Sequence, residues 1–321
     1  MVHLRIVIPA NLAEKVVALL CAAPGVTNVV RFRDAAHKPK GDLILCDVAR
    51  EDASLIIADL KDLQVQHVGS IAVELIDSSI SDVSRAAEKA APGLPSDAVV
   101  WEEVESRTSE QTELSVSFTI FMIAAMQIAA VGIVLDQPIL IVGAMVVGPE
   151  FGPLAAICVA LVRRQRRLAK RSLIALAVGF PVGTFAALCS SIVLIAVGAF
   201  PDEYGTHEFT DFISNPDFLS FFIAVVAGCA GMLSLTTAKS GALIGVLVSV
   251  TTIPAASNVG VAAAYGEWDA ATGAAGQLAI NLGGIVVAGV VTLTLQNRDY
   301  VVRRREHLRA SAGSRASERE H

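Results

Sequence analysis

Gly148-Pro149-Glu150-Phe151-Gly152-Pro153 interrupts an apolar run of the chain that extends from Gln137 to Val162. A second apolar run, further along, contains the stretch Thr251-Thr252-Ile253-Pro254. Lipid offers no water to an exposed peptide group, so an interrupted helix at membrane depth persists only where protein or a polar cavity shelters it. Paired interruptions in corresponding segments of two halves are typical of a transport site near the middle of the bilayer. These two stretches therefore predict a transporter or channel.

The composition is that of a membrane protein. Of the 321 residues, 54% are hydrophobic and 17% are charged, whereas about a quarter of the residues of a soluble domain are charged. Most charges lie in residues 1–113 and at the end of the chain, and long stretches between residues 114 and 296 have none. The net charge of −6 is less informative than this distribution.

The cysteine pattern indicates neither a metal site nor a disulfide framework. The cysteines are Cys21, Cys46, Cys158, Cys189 and Cys229. We expect all five to be free thiols, and we expect no metal and no other cofactor. The first residues, from Met1 to Val7, lack the basic and apolar regions of a cleavable signal peptide.

Residues 1–78 carry the pattern of a small α+β domain. Leu4, Ile6 and Ile8 alternate with polar residues, as in a half-buried strand. Further strands are predicted over residues 26–32, 43–48 and 71–75, and helices over residues 12–20 and 51–63. The order β-α-β-β-α-β predicts a cytoplasmic ferredoxin-like domain, in which both helices lie on one face of an antiparallel sheet.

Two roles are open for this domain. Its element order and the turn Pro24-Gly25-Val26 resemble those of small-molecule-sensing regulatory domains of the ACT type. The resemblance implies a ligand sensor, but such a fold hosts many functions. The other expectation is a platform for assembly or folding.

Residues 79–113 are predicted to form a helical linker. An amphipathic helix is expected over residues 79–91. Its apolar face consists of Ile80, Val83, Ala87 and Ala90. The acidic residues 101–113 are expected to form a further helix or a linker along the membrane. Trp101, at their start, either packs in the protein or anchors it at the interface.

Six apolar segments are each long enough to cross a hydrocarbon core about 30 Å thick. They are predicted at residues 114–135, 138–162, 172–199, 218–236, 240–264 and 273–296. The predicted fold class is therefore a membrane all-α domain of six transmembrane helices over residues 114–297, preceded by the α+β domain. Residues 298–321 are predicted to be a basic cytoplasmic tail, partly disordered.

The basic residues favour one orientation in the membrane. They cluster between the second and third spans and after the sixth, whereas the loops after the third and fifth spans are acidic. These basic residues are Arg163, Arg164, Arg166, Arg167, Lys170, Arg171, Arg298, Arg303, Arg304, Arg305 and Arg309. By the positive-inside rule both termini lie in the cytoplasm. We therefore expect a multi-pass protein of the bacterial inner membrane.

The two halves of the apolar part are similar to each other at an offset of one hundred residues. The matching residues in the first half are Phe118, Phe121, Ile123, Ala124, Ala130 and Leu135, and in the second half Phe218, Phe221, Ile223, Ala224, Ala230 and Leu235. Pro153 and Pro254 lie near the same offset. Three spans per half place the second half in the membrane from the opposite side, so we predict an inverted 3+3 repeat with broken second and fifth helices.

Three motifs resemble those of a bacterial membrane family labelled "domain of unknown function 389". They are Gly143-Ala144-Met145 followed by Gly148-Pro149 and Gly152-Pro153, then Gly245-Val246 followed by Pro254, then Asn281-Leu282. The resemblance covers roughly residues 114–296, and it implies a six-span hydrophobic domain behind a variable cytoplasmic head, with no assigned substrate. Gly148, Glu150 and Ala255 depart from the family pattern. At these positions many relatives have a small hydroxyl residue, an apolar residue and a second proline, respectively.

Glu150 is the first candidate site residue, because it is an ionisable side chain deep within a predicted span. A charge at the centre of a membrane helix costs about 3 kcal/mol on insertion scales, so such residues usually face a protein interior and serve a function there. Pro149 and Pro153 free backbone groups around it, and the helix that begins here directs its N-terminal dipole at the carboxylate. Glu150 either binds a proton or cation, or is a hydrogen-bonded carboxyl that fixes the break.

Polar groups around the second break complete the candidate substrate or ion site. They are Thr251, Thr252 and Asn258 beside Pro254, with Asn281 from the last span. Hydroxyls and amides of this kind either replace the hydration shell of a solute or hold helices together, at about 0.6 kcal/mol for each hydrogen bond. For Gln127 and Gln277 we predict the second role.

The predicted function is transport of a small ion or polar solute, with a cytoplasmic domain that regulates or assembles the membrane part. The alternative is a membrane-anchored sensor, signalling or scaffold protein, although an anchor needs no interrupted helices. No enzyme activity is predicted, because the spans lack histidine and any Ser-His or His-Glu-x-x-His pattern. The expected partners are the lipid bilayer, the solute and further copies of the chain in a homo-oligomer, and no nucleic acid.

Overall fold

The structure is a computed structural model that describes residues 1–76, 78–91, 98–205, 213, 217–237 and 251–317, with the backbone only for residues 309–317. The chain divides into two compact units. The N-terminal unit comprises Met1–Val104 together with Asp299–His321, and the helical unit comprises Glu105–Arg298.

The N-terminal unit contains a four-stranded antiparallel sheet with the strand order β2-β3-β1-β4. Its strands are β1 Val2–Ile8, β2 Val26–His37, β3 Lys40–Val48 and β4 Ser70–Leu75. Its first helices are α1 Ala10–Ala22, α2 Arg50–Asp62 and the short α3 Val65–Val68. The element order β-α-β-β-α-β is the one that the sequence predicts, with α3 added before the last strand.

The core of the N-terminal unit lies on one face of this sheet. The alternate residues Val2, Leu4 and Ile6 of β1 are completely buried, and they pack in one cluster with Val16 of α1 and Ile56 of α2. Both helices therefore cover the same face. Burial of each aliphatic side chain in such a core contributes about 1.5–3 kcal/mol.

All five cysteines are free thiols, as the sequence predicts. Cys46 lies in the core of the N-terminal unit, where burial raises the pKa of its thiol to about 12 and the neighbouring Asp47 acts in the same direction. The thiolate is the reactive form of cysteine, so Cys46 is inert at neutral pH.

The helix that follows the sheet has a different apolar face from the predicted one. Helix α4, Asp82–Ala90, begins after Ser81, whose Oγ accepts a hydrogen bond from the Ser84 backbone N–H at 3.2 Å. Ile80 and Val83 are 98% and 60% exposed, and the buried residues of the helix are Ser84 and Ala87. Of the predicted apolar face, Ala87 is buried, whereas Ile80, Val83 and Ala90 are exposed. Ile80 lies outside the helix, because Ser81 caps it.

Helix α5, Trp101–Glu110, begins in the N-terminal unit. The Trp101 side chain is completely buried, and its backbone N–H donates to Ser54 Oγ at 3.0 Å. Trp101 is therefore a packing residue, and its alternative role as a membrane anchor is wrong.

The helical unit consists of apolar helices. They are α6 Val116–Val134, α7 Pro138–Val147, α8 Phe151–Arg163, α9 Arg166–Ala196, α10 Phe218–Thr236, α11 Thr252–Tyr265 and the part of α12, Trp268–Ser317, that ends at Arg298. Four of them, α6, α9, α10 and α12, are long and apolar enough to cross a membrane. The bent pair α7 and α8 makes a fifth candidate span.

Large apolar side chains on the outer surface of these helices indicate a membrane protein. Those on α10 are Phe218, Leu219, Phe221, Phe222, Ile223, Val226 and Leu233. A surface of this kind is unfavourable in water and suits contact with lipid or with another protein. The described residues contain four or five candidate spans, whereas the sequence predicts six. Residues 238–250, which include the start of the fifth predicted span, lie outside the described residues.

The third predicted span begins earlier than expected. Helix α9 starts at Arg166, whereas the sequence predicts a basic loop before residue 172. Arg166, Arg167, Lys170 and Arg171 are therefore part of α9, whereas Arg163 ends α8 and Arg164 is its C-cap. Two of the basic residues pair with the acidic linker. Arg163 Nε donates to Glu105 Oε1 at 2.8 Å, and Arg171 Nη2 donates to Glu113 Oε1 at 2.9 Å.

The predicted tail, residues 298–321, differs most from the structure. Helix α12 continues to Ser317, and its residues from Asp299 onward belong to the N-terminal unit. Arg304 donates to the carboxylates of Asp59 and Asp62 on α2. His307 Nε2 lies 2.8 Å from Asp59 Oδ2. The segment is therefore an ordered part of the N-terminal unit up to these contacts, because its charges find acidic partners there.

Candidate functional site

The first interruption lies between α7 and α8, whose axes differ by 52°. Helix α7 ends at Val147 with Gly148 as its C-cap, and Glu150 is the N-cap of α8. Pro149 lacks the N–H that would continue α7. Pro153 is the third residue of α8, where the backbone N–H needs no partner within the helix. Pro149 therefore ends one helix, and Pro153 lies in the first turn of the next rather than at the break itself.

The stretch that the sequence predicts as the second interruption lies at the start of α11. Thr251 is the N-cap of this helix, and Pro254 is its third residue. Pro254 thus occupies the same position in α11 that Pro153 occupies in α8. Residues 238–250 lie outside the described residues, and so does the predicted motif Gly245-Val246.

The starts of these two helices meet at Glu150. Thr252 Oγ1 donates a hydrogen bond to Glu150 Oε1 at 2.8 Å. Thr252 is completely buried, and Glu150 is 4% exposed. The other carboxyl oxygen, Oε2, is buried and has no hydrogen-bond partner within the part of the chain that the structure describes. The site therefore holds a carboxyl group with one oxygen bonded and one free.

Two amide side chains of α12 form a chain of hydrogen bonds that ends at Thr251, the N-cap of α11. Asn281 Nδ2 donates to Thr251 Oγ1 at 2.7 Å, and Gln277 Nε2 donates to Asn281 Oδ1 at 3.3 Å. Both amide side chains are buried. The predicted residues Thr251, Thr252 and Asn281 are therefore gathered near Glu150: Thr252 bonds Glu150, and Asn281 bonds Thr251.

Asn258 lies away from this group. It is six residues after Thr252 on α11, about 9 Å along the helix axis at 1.5 Å per residue. Its Oδ1 accepts a hydrogen bond from Tyr204 Oη at 3.0 Å. The structure therefore places Asn258 in a second polar contact, with a tyrosine that the sequence does not single out.

Other polar contacts in the helical unit hold helices together. Ser257 Oγ donates to the Met126 carbonyl at 2.8 Å, and Thr184 Oγ1 donates to the Ala256 carbonyl at 3.0 Å. Gln127 Oε1 accepts from Ser190 Oγ at 2.6 Å, which joins α6 to α9 as predicted. The contact of Gln277 is within α12 rather than between helices, so its predicted role as an interhelical contact is wrong.

Two pockets flank these polar groups. One, of about 350 Å³, is lined by the end of α5, the start of α6 and the break at Gly148 and Pro149. The other, of about 140 Å³, is lined by Asp136, Tyr204 and Tyr265 among others. Tyr204 lines the smaller pocket and bonds to Asn258 of α11. Polar side chains of α11 therefore lie at two levels, Asn258 near the smaller pocket and Thr252 near the break.

The arrangement is suited to binding a small charged or polar group. A carboxyl, a hydroxyl and two amides can replace part of a hydration shell. The N-termini of α8 and α11 place partial positive charge at the same point. The residues gathered here can exchange a proton or bind a solute; none forms a pair of nucleophile and base.

Comparisons with known proteins support the resemblance noted from the motifs. The model of a family described as a domain of unknown function (DUF389) matches residues 145–287. A relative, "Uncharacterized protein MJ0678" of Methanocaldococcus jannaschii, is 25% identical over 202 residues, which are 59% of this chain and 58% of the relative. No solved structure matches the chain. The match contains the α7–α8 break, α11 and Asn281, so this part of the chain is similar to the DUF389 family.

Proposed function

We propose that the helical unit transports a small ion or polar solute across the cytoplasmic membrane, with Glu150 binding the solute or a coupling proton. The observation that carries this proposal is the contact between the two interrupted segments. Thr252 bonds one oxygen of Glu150 and leaves the other buried without a partner among the described residues. A buried carboxyl of this kind is costly in a membrane and is retained where it has a function.

Two correspondences between the halves support alternating access to this point. Helices α6 and α10 each have 19 residues, and α8 and α11 each have proline as their third residue. We infer an inverted 3+3 repeat from this correspondence, since transporters built this way bind their solute between the two repeats. The positive-inside rule places both termini in the cytoplasm.

The N-terminal unit has a supporting role in this proposal. It regulates or assembles the membrane part, and a homo-oligomer gives the coupling between units a physical route. The sequence suggests the bacterial inner membrane, but the relative described above is archaeal. We therefore propose a cytoplasmic membrane as the location, without restricting it to bacteria. No catalytic residue is assigned.

The test is transport by the purified full chain in liposomes. We expect wild-type protein to move at least one of four probes: protons, potassium, chloride or glycine. Glu150→Gln removes a charged hydrogen-bonding group worth about 1.5–3 kcal/mol, so we expect its rate to fall about tenfold or more, at 1.4 kcal/mol for each factor of ten.

Glu267→Gln is the matched control, because it makes the same change at an exposed carboxylate between α11 and α12. Its transport rate should equal that of the wild type. If the wild type moves none of the four probes, the transport proposal is wrong and the membrane-anchored sensor or scaffold is favoured. Equal rates for wild type and Glu150→Gln would remove Glu150 from the mechanism.

A further inference from the structure

The hairpin formed by β2 and β3 carries exposed cations. Arg33, Lys38 and Lys40 are exposed, and none of them forms an ion pair with a residue that the structure describes. Asp34 is the single carboxylate among residues 31–40. The whole chain has a net charge of −6, so this end of the sheet is a positive patch on an acidic protein.

A buried carboxylate fixes the shape of the hairpin. Asp42 is 2% exposed. It accepts hydrogen bonds from Arg31 Nε at 2.7 Å and from the Asp34 backbone N–H at 2.9 Å, beside the irregular pairing between Phe32 and Ala36. Asp42 is therefore bonded to Arg31 and Asp34 rather than to the exposed cations, which lie on a hairpin of fixed shape.

Apolar side chains adjoin these cations on one face of the sheet. Val30 pairs with Leu45, and Phe32 pairs with Leu43; directly opposed residues lie on the same face. Ile44, between these two residues of β3, belongs to the core that α1 and α2 cover, so the two pairs lie on the opposite face. Val30 and Phe32 are 44% and 48% exposed there. An exposed apolar patch with a polar border is typical of a surface that binds a partner.

We propose that this surface, formed by Val30, Phe32, Arg33, Lys38 and Lys40, binds the anionic headgroups of the lipid bilayer. The cations pair with lipid phosphates, and the two apolar side chains enter the boundary between headgroups and acyl chains, as in peripheral membrane anchors. The inference goes beyond the proposed transport function, because it assigns a partner to the N-terminal unit and requires only that the chain lies in a membrane.

Charge and proximity favour the bilayer over two other partners. A second copy that packed on the same surface would bring two positive hairpins together, and like charges repel. Nucleic acid offers the same phosphate chemistry, but a chain with candidate membrane spans is held beside lipid headgroups at a high effective concentration. Each Lys or Arg near an anionic leaflet strengthens binding about fivefold, so the cations together give roughly a hundredfold preference for anionic over zwitterionic lipid.

The test is hydrogen–deuterium exchange of the full chain in nanodiscs of phosphatidylcholine, with and without phosphatidylglycerol. Strand β2 is at the edge of the sheet, so its outward amides exchange freely unless a partner covers them. We expect the amides of residues 31–40 to exchange about tenfold more slowly when phosphatidylglycerol is present. The difference between the two lipid mixtures should disappear at about 1 M salt, where the Debye length is about 3 Å.

Two matched triple variants locate the contact. The hairpin variant, which we expect to exchange equally fast in both lipid mixtures, combines Arg33→Gln, Lys38→Gln and Lys40→Gln. The control variant makes the same change at one arginine and two lysines that are exposed elsewhere in the unit, and it should keep the wild-type protection. Its substitutions are Arg85→Gln, Lys15→Gln and Lys89→Gln. Slow exchange of the buried strand β1 shows in each variant that the unit is folded.

The outcomes are independent of the transport assay, because exchange is measured without any flux. Protection that requires phosphatidylglycerol, is lost in the hairpin variant and is kept in the control variant supports the inference. Equal exchange in both lipid mixtures overturns it, and so does protection that the hairpin variant retains or that the control variant also loses. Protection by single-stranded RNA added to phosphatidylcholine nanodiscs, with none by phosphatidylglycerol, also overturns it and indicates nucleic acid as the partner.

Discussion

Glu51 is a carboxyl group whose position in the fold opposes its ionisation. It lies in the first turn of α2 and is 6% exposed. Burial raises the pKa of Glu51 above its usual value, and the charges of Asp52 and Glu88 add to the increase. Because its pKa is higher in the folded than in the unfolded state, the contribution of Glu51 to stability is full below about pH 4.3, the ordinary value for glutamate, and is lost as the pH rises above it.

We therefore expect Glu51→Gln to be more stable than the wild type at pH 7 and to lose this advantage at about pH 4. Urea unfolding followed by the fluorescence of buried Trp101 measures this, in a Trp268→Phe background that leaves one tryptophan. Glu14→Gln, at an exposed position of α1, is the control and should show no such gain. A gain for Glu51→Gln that is the same at both pH values would contradict the expected pKa difference.

The sequence identifies single site residues better than it identifies their partners. Glu150 could be found because a carboxyl in an apolar run needs an explanation. Its bond with Thr252 joins residues 102 positions apart, and no local pattern indicates which of two adjacent threonines makes it. Tyr204 was missed because it lies in an acidic loop, where nothing in the sequence distinguishes a tyrosine that bonds Asn258 from an exposed one.

At the scale of helices, the position of each proline decides its effect. Pro149 follows the C-cap of α7 and prevents the helix from continuing, whereas Pro153 and Pro254 lie in first turns. Pro181 lies inside α9, and that helix continues on both sides of it. The sequence therefore predicts the region of the first break correctly. The presence of proline alone does not give the exact position of the break, because proline lies in the first turn of some helices and in the interior of another.

This difference predicts unequal costs for proline substitutions in α8. Pro153→Ala restores an N–H that needs no partner within the helix, so we expect a change in stability of less than about 1 kcal/mol. Leu161→Pro, further along the same helix and 53% exposed, removes a backbone hydrogen bond and should cost about 3 kcal/mol or more.

The measurement is the thermal unfolding of the detergent-solubilised protein, with Leu161→Ala as the control for loss of the leucine side chain. If Pro153→Ala destabilises the protein as much as Leu161→Pro does, then Pro153 has a role in the break beyond its place in the first turn.

At the scale of the whole molecule, local patterns predict the elements and not the division of the chain. The strands of the N-terminal unit follow from alternation of apolar residues, which β1 shows directly. The composition suggests a boundary at residue 297 and a solvated tail, because charge runs are usually solvated. The structure assigns this segment to the N-terminal unit instead, since Arg304 bonds Asp59 and Asp62, residues more than two hundred positions earlier.

The assignment predicts that the end of the chain stabilises the N-terminal unit. Deleting residues 299–321 removes the hydrogen bonds of Arg303 with Asp52 and of Arg304 with Asp59 and Asp62. A hydrogen bond to a charged group contributes about 1.5–3 kcal/mol, so we expect unfolding of this unit at lower urea, again followed by Trp101 in the Trp268→Phe background. Arg304→Gln should reproduce most of the loss, and deletion of residues 310–321 alone should leave these bonds and the midpoint unchanged. A midpoint that is the same with and without residues 299–321 would show that the segment adds nothing to the stability of the unit, and its contacts with α2 would then be incidental.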